Sequence, residues 1–244
     1  MTNVGNERGE ILNSVFTTGE GAGLQNMCQG IGKRYQDANV PEPQIMYVDR
    51  DCCCSSGPSH VLRLFHPWQF QIRLDIWHFM RRFNAGLTTE HHPLYATWCS
   101  RLSSCIFEWD MHDMDRLKTA KAAELKMQLG RDPTEKQVAN SLKTTEMARH
   151  CKRRTRGAEE TKRQIDHLLT AMWDMTDTTG VTLLNRSTMT KVWQVQQKHV
   201  ACIQDVPHVP LYTKVGTLEK GGKVLDVFRC ARGSTSLESF HRHQ

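Results

Sequence analysis

Hydrophobic and polar positions along this chain follow two rhythms, and the change from one to the other marks three stretches. Over residues 1–78, short apolar runs suited to strands take turns with helical spacing. "EILNSVFTT" reads as a strand after a turn at "GNERG", and "LQNMCQGIGKRY" places Leu24, Met27, Cys28, Ile31 and Tyr35 on one helical face. After the break at "VPEPQ", "IMYV" predicts a short buried strand, residues 59–66 a helix, and "FQIRL" a further strand. The resulting β-β-α-β-α-β order predicts a layered α/β domain.

From residue 79 onward the strand rhythm vanishes. "PLYATWCSRLSSCIFEW" sets Leu94, Tyr95, Trp98, Leu102, Cys105 and Ile106 on one face of an amphipathic helix, and "MDRLKTAKAAELKMQL" is rich in strong helix formers. "RDPTEKQVANSL" offers Asp132 as a cap with Pro133 at the first helical position and Glu135 at the third. "EETKRQIDHLLTAMW" groups Ile165, Leu168, Leu169, Met172 and Trp173. Residues 79–205 therefore read as an all-helical insertion within an α/β frame. The last segment, 206–244, returns to strands: "VPLYTKVGTLEK", a "GG" turn and "KVLDVFRC" predict a hairpin, after which Ser234 or Thr235 would cap a helix bearing Leu237, Glu238 and Phe240.

With 244 residues, 39% of them hydrophobic, the chain has enough apolar material for a sizeable core. No apolar run approaches the roughly 18 residues of a membrane span, and "MTNVGNERGE" lacks the basic start and apolar stretch of a signal peptide. These features point to a reducing compartment, where nine irregularly spaced cysteines are expected to be thiols and not a disulfide framework. The net charge of +6 is unevenly placed: Arg149, Lys152, Arg153, Arg154 and Arg156 crowd into "RHCKRRTRG", and Arg73, Arg81 and Arg82 flank the second motif below. Such clusters attract polyanions such as DNA, although a solvated basic helix face has the same composition.

Three short stretches carry candidate chemistry. Asp49 closes the "IMYV" strand, where side chains leave the pleat for a crevice over a rigid backbone, and Asp51 is placed to cap the next helix. Cys52, Cys53 and Cys54 follow. On a helix adjacent side chains diverge by about 100°, so three in a row would not converge on one ion, and they are expected to be packing thiols. In "RLDIWHFMRRF", Asp75 is placed to cap a helix and His78 to share its face and buttress the neighbouring site, with Trp77 and Phe79 toward the core. Glu238 lies at the start of the final helix.

The order of "YVDRD", "LDIWHF", a long helical insertion and "STSLESFH" resembles the ribonuclease-H-like core of DDE transposases, in particular the Mutator-like and hAT-type branches with their C/D-x-x-H motif. "QQKHVACIQD" and "FRCARGSTSLESFH" share that look, and the resemblance spans essentially the whole chain. It implies a partial ribonuclease-H-like mixed sheet and a nuclear DNA-cleaving or strand-transferring ancestry. It also implies Asp49 as the second aspartate and Glu238 as the glutamate of a Mg²⁺ or Mn²⁺ site, with Asp75 and His78 as the accessory motif. Multimeric action, and so a homo-oligomer, is implied in the same way.

The chain departs from this pattern at the first aspartate. Residues 1–36 contain no aspartate, and Asp37 falls at the end of a helix. The expectation is a fragment truncated at both ends, lacking the central strand and catalytically inactive. Other readings stay open. "LGRDPTEKQVANSLKTTEMARHCKRRTRG" resembles a sigma-factor-like helix-turn-helix, which would make the basic insertion a non-catalytic DNA-binding module using Arg149, Lys152, Arg153, Arg154 and Arg156. A zinc or redox protein would draw on Cys52, Cys53 and Cys54 with His60 and His66, and a remnant without function is the third possibility.

Overall fold

A computed structural model describes residues 2–16, 22–53 and 59–233. Its first half runs β1 (Thr2–Gly5), β2 (Ile11–Val15), α1 (Gln25–Asp37), β3 (Ile45–Val48), α2 (His60–Leu64), β4 (Gln71–Leu74), α3 (Ile76–Arg81), a 3-10 turn over Arg82–Gly86, and α4 (Tyr95–Ile106). Then come β5 (Phe107–Trp109), α5 (Met111–Leu129), α6 (Glu135–Ser141), α7 (Thr144–His150), β6 (Arg153–Thr155), α8 (Ala158–Met172), α9 (Arg186–Gln196), 3-10 turns at Gln197–His199 and Ala201–Ile203, β7 (Tyr212–Lys220) and β8 (Lys223–Cys230).

The chain is mixed α/β and forms two compact units. One comprises Met1–Ile106, Arg156–Val209 and Arg232–Gln244, the other Phe107–Thr155 and Pro210–Ala231. These cut across the expected segments 1–78, 79–205 and 206–244, because the middle of the helical stretch packs with the hairpin.

In the first unit the order β-β-α-β-α-β appears at the expected residues. The β1–β2 turn is set by Asn6, whose side-chain oxygen accepts from the backbone N–H of Arg8 and Glu10, both at 3.0 Å. Met27, Cys28 and Ile31 of α1 are buried in a cluster with Leu24, Phe65 and Trp68, and Tyr35 lies against the Trp68 ring at 4.9 Å. β3 and β4 pair in parallel, Ile45 with Gln71 through Val48 with Leu74. Ile72 and Leu74 are buried while β3 is only half-buried throughout, a correction to the buried strand expected from "IMYV". A second core forms around Phe83, whose ring lies 5.4 Å from Phe79, 6.2 Å from Trp98 and 6.0 Å from Trp193. Phe79 takes the core side as expected. Trp77 does not: it is half-buried, with the Arg81 guanidinium 5.0 Å over its ring.

The expected single mixed sheet is not what forms. Among the described residues the strands make four two-stranded pairs, antiparallel β1–β2, parallel β3–β4, antiparallel β5–β6 and antiparallel β7–β8. No hydrogen-bonded strand among the described residues joins β1–β2 to β3–β4.

The second unit corrects the all-helical reading. "FEW" leaves helix α4 and becomes β5, with Glu108 facing Arg154 across the pair at 2.6 Å and Arg153 stacked 4.0 Å over Phe107. Asp110 then caps α5 by accepting from the Asp113 N–H at 3.0 Å. The cap of α6 also differs from expectation. Thr134, not Asp132, is the cap, because Thr134 and Gln137 satisfy each other's backbone N–H groups in a capping box, while Asp132 pairs with Lys126 at 2.7 Å. The hairpin turns at Gly221 and Gly222, both at positive φ, where a side chain would be strained. Leu117, Ala120, Cys151 and Leu225 form this unit's core.

Candidate functional site

Strands β3 and β4 end together, so one step beyond the pair Val48–Leu74 the chain presents Asp49 beside Asp75. The parallel register continues through the Asp75 N–H, which donates to the Val48 carbonyl at 2.9 Å. Asp75 is 2% exposed and caps α3, accepting from the His78 N–H at 3.1 Å. His78 Nδ1 faces both acids, 2.8 Å from Asp75 Oδ2 and 3.1 Å from Asp49 Oδ1. The imidazole therefore lies between the buried carboxylate and the more exposed one. Arg82 adds a tie from behind, donating to the Asp49 carbonyl at 2.7 Å and to Gln196 Oε1 at 3.3 Å. Gly233 also reaches this place: a Cβ built on it would run into Asp75 Oδ1, and its φ of +82° favours glycine. Ser59, and not Asp51 as expected, is the N-cap of α2, its side chain accepting from the Val61 N–H at 3.2 Å; Asp51 supports that cap, accepting from Ser59 Oγ at 2.7 Å and from the Val61 N–H at 3.3 Å.

As it stands, this arrangement does not fit a pair of Mg²⁺ or Mn²⁺ ions. Such ions need several oxygens free to converge. Asp75 is committed to the α3 cap, and the Nδ1 of His78 stands between the two acids. Glu238, expected as the partner acid, lies outside the described residues.

The cysteines behave differently from the expectation. Asp51 sits at φ +60°, so residues 49–53 make a turn, and the divergence argued for a helix does not apply. Cys52 and Cys53 Sγ lie 3.9 Å apart, and His199 Nδ1 is 3.3 Å from the first and 3.4 Å from the second. With Cys202 these atoms all fall within 4.8 Å of one another. Hydrogen bonding from Cys52 holds the Cys202 thiol down to about 5 against the opposing effect of burial, and Cys53 and His199 add to it. Cys52 is pushed up by its bond to Cys202 and by burial. The cluster thus favours one thiolate, the form in which sulfur attacks or binds metal. His60 and His66 are not members of this cluster, and Cys54 lies outside the described residues. The overlooked signal was His199-x-x-Cys202, a ligand-like spacing too far along the chain for local patterning to join to Cys52.

A second convergent group, Asp110, His112 and Asp113, is accounted for structurally. Asp110 caps α5, and Asp113 accepts from the Lys152 N–H at 3.0 Å.

The basic cluster is largely engaged within the protein. Lys152 lies 3.6 Å from Asp113 and 5.0 Å over the Phe228 ring, Arg153 stacks on Phe107, and Arg154 pairs with Glu108. Arg156 donates to the Ser104 carbonyl at 3.1 Å, and Arg149 is exposed at the end of α7. Helices α6 and α7 occupy the segment that resembles a helix-turn-helix, each seven residues long. No helix among the described residues is long and apolar enough to cross a membrane. Comparison of the chain with family models, curated proteins and solved structures gives no match.

Proposed function

We propose that this is a transposase-derived protein, related to enzymes that cleave and join DNA strands, which binds DNA without cutting it. The observation that carries the reading is the pairing of Asp49 and Asp75 at the ends of two adjacent parallel strands, linked through His78. Ligand sites in open α/β sheets lie at such strand ends. Two further features support it. The antiparallel β1–β2 and parallel β3–β4 pairs are both pairings that a ribonuclease-H-like mixed sheet contains. The chain also returns at Gly233 to touch Asp75, five positions before Glu238.

In this reading Asp75 and His78 are positioning residues that fix the Asp49 carboxylate. Mg²⁺ or Mn²⁺ would supply Lewis acidity in a complete site of this class. The described acids alone do not hold the pair, so no cleavage follows from them. Nuclear location and a homo-oligomer belong to the same proposal. Incubating the protein with duplex DNA and Mg²⁺ or Mn²⁺ tests it. A mobility shift at low salt with intact strands is the expected result. Mn²⁺-dependent cleavage abolished by Asp49→Ala would overturn the inactivity, and no shift at low salt would overturn the DNA reading.

The narrower alternative, a DNA-binding module acting through the basic insertion alone, has Arg149 in its favour. It has against it the internal pairing of Lys152 and Arg154. Each phosphate contact steepens the salt dependence of log K by about 0.9, so a slope reaching five contacts would favour that alternative.

A further inference from the structure

We infer that Cys52, Cys53, His199 and Cys202 form a closed structural zinc site that fastens the loop after β3 to the segment following α9. In a regular tetrahedron with Zn–S of about 2.3 Å and Zn–N of about 2.0–2.1 Å, two sulfurs stand about 3.8 Å apart and a sulfur and nitrogen about 3.5 Å apart. The separations in the protein are 3.9 Å for the two sulfurs and 3.3 and 3.4 Å for sulfur to nitrogen. Three of the six donor edges thus have the lengths of a zinc tetrahedron, and Cys202 lies within 4.8 Å of the other donors; the Cys₃His composition suits zinc and excludes hard cations. Four protein ligands leave no open position for water or substrate, which makes the role structural.

The surroundings hold the two halves of the site in place. Val200, between His199 and Cys202, and Ile203, just after Cys202, are both buried and anchor the segment. Arg73 Nε donates to the Gln204 carbonyl at 2.8 Å, joining that segment to β4. On the other side, the left-handed Asp51 turns the chain so that Cys52 and Cys53 point one way, and Ser59 holds the Asp51 carboxylate at 2.7 Å. Cys52 follows Asp49 by three residues, so an ion here would fix the backbone that presents the strand-end acid. A vicinal cysteine pair with one sulfur exposed is otherwise an oxidation liability, the described cysteines all being free thiols. Shared zinc coordination accounts for its placement.

Metal analysis of the reduced full-length chain, purified without added metal, tests the site. One zinc per chain is expected, with X-ray absorption giving three sulfur neighbours and one nitrogen, and with Co²⁺ replacement giving the intense visible bands of a tetrahedral thiolate site. Cys202→Ser and His199→Ala should each lose the zinc, while Cys230→Ser keeps it. Absence of zinc from the wild-type chain together with no uptake from added ZnCl₂, or full zinc retention in Cys202→Ser and His199→Ala, would overturn the assignment. The spectroscopy on wild-type protein keeps the test decisive if the variants fail to fold. The outcome is separable from the DNA reading: Asp49→Ala should leave zinc at one per chain, whether or not DNA binds.

Discussion

Replacing Asp75 by alanine removes a helix cap and a bond to His78 together, and the structure lets the sizes of these two be separated. The Asp75 side chain is 3% exposed, caps α3 through the His78 N–H at 3.1 Å, and accepts from His78 Nδ1 at 2.8 Å. Losing an N-cap typically costs about 1 kcal/mol, and losing a charge-assisted bond while stranding its partner costs about 1.5–3 kcal/mol. The two share one carboxylate oxygen, so a combined loss of about 2–4 kcal/mol is expected. Asp75→Asn has nearly the same shape and caps as well as aspartate, but trades a charged acceptor for a neutral one roughly half as strong, costing about 1 kcal/mol. Urea unfolding followed by tryptophan fluorescence should therefore rank the proteins wild type, Asn, Ala, with the two variants at least about 1 kcal/mol apart. If Ala and Asn unfold within about 0.5 kcal/mol of each other, the cap and the imidazole bond do not carry the stability assigned to them.

Three other outcomes follow from different parts of the molecule. Glu146 is pushed up by burial but held down overall, to about 2, by hydrogen bonds from Lys220 and the Lys143 N–H and by the Lys121 charge. Because its folded value lies below the unfolded one, its contribution is present above about pH 4.5 and fades as the pH falls toward 2. Glu146→Gln should flatten that acid limb in thermal melts, and an unchanged limb would refute the network. Phe83 is fully buried among Phe79, Trp98 and Trp193, so Phe83→Ala should cost about 3–5 kcal/mol by denaturant titration. At α6, Thr134→Ala should cost about 1 kcal/mol and speed amide exchange in that helix. Asp132→Ala should not, and the reverse order would reinstate Asp132 as the cap.

What the sequence revealed and what it hid have a common cause, the range over which each feature is determined. Met27, Cys28 and Ile31 declare α1 because their spacing is local, and Asp75 declares the α3 cap because it lies three residues from His78. Strands β5 and β6 are three residues each and exist through pairings such as Glu108 with Arg154, 46 positions apart. No window of sequence contains both. The cysteine cluster was obscured twice over. Its backbone adopts a left-handed turn at Asp51, which undoes the divergence assumed for adjacent residues, and its other half lies 147 positions away at His199.

The same geometry explains why the strand-end acids and the thiol cluster differ as metal sites although only three residues separate them. At Asp49 and Asp75 the repulsion between two carboxylates is relieved by an imidazole whose Nδ1 lies within 3.1 Å of both. A hard cation entering there would have to displace the histidine nitrogen from Asp49 and compete for a carboxylate already committed to an α3 cap. At Cys52, Cys53, His199 and Cys202 the donors have mainly one another for partners, and the three separations among Cys52, Cys53 and His199 match the bond lengths of a soft-ligand ion, with Cys202 within 4.8 Å. The first group satisfies itself without metal, whereas the second is best satisfied with one. That contrast makes zinc content, rather than magnesium dependence, the measurement that most directly tests which of the two groups holds a metal.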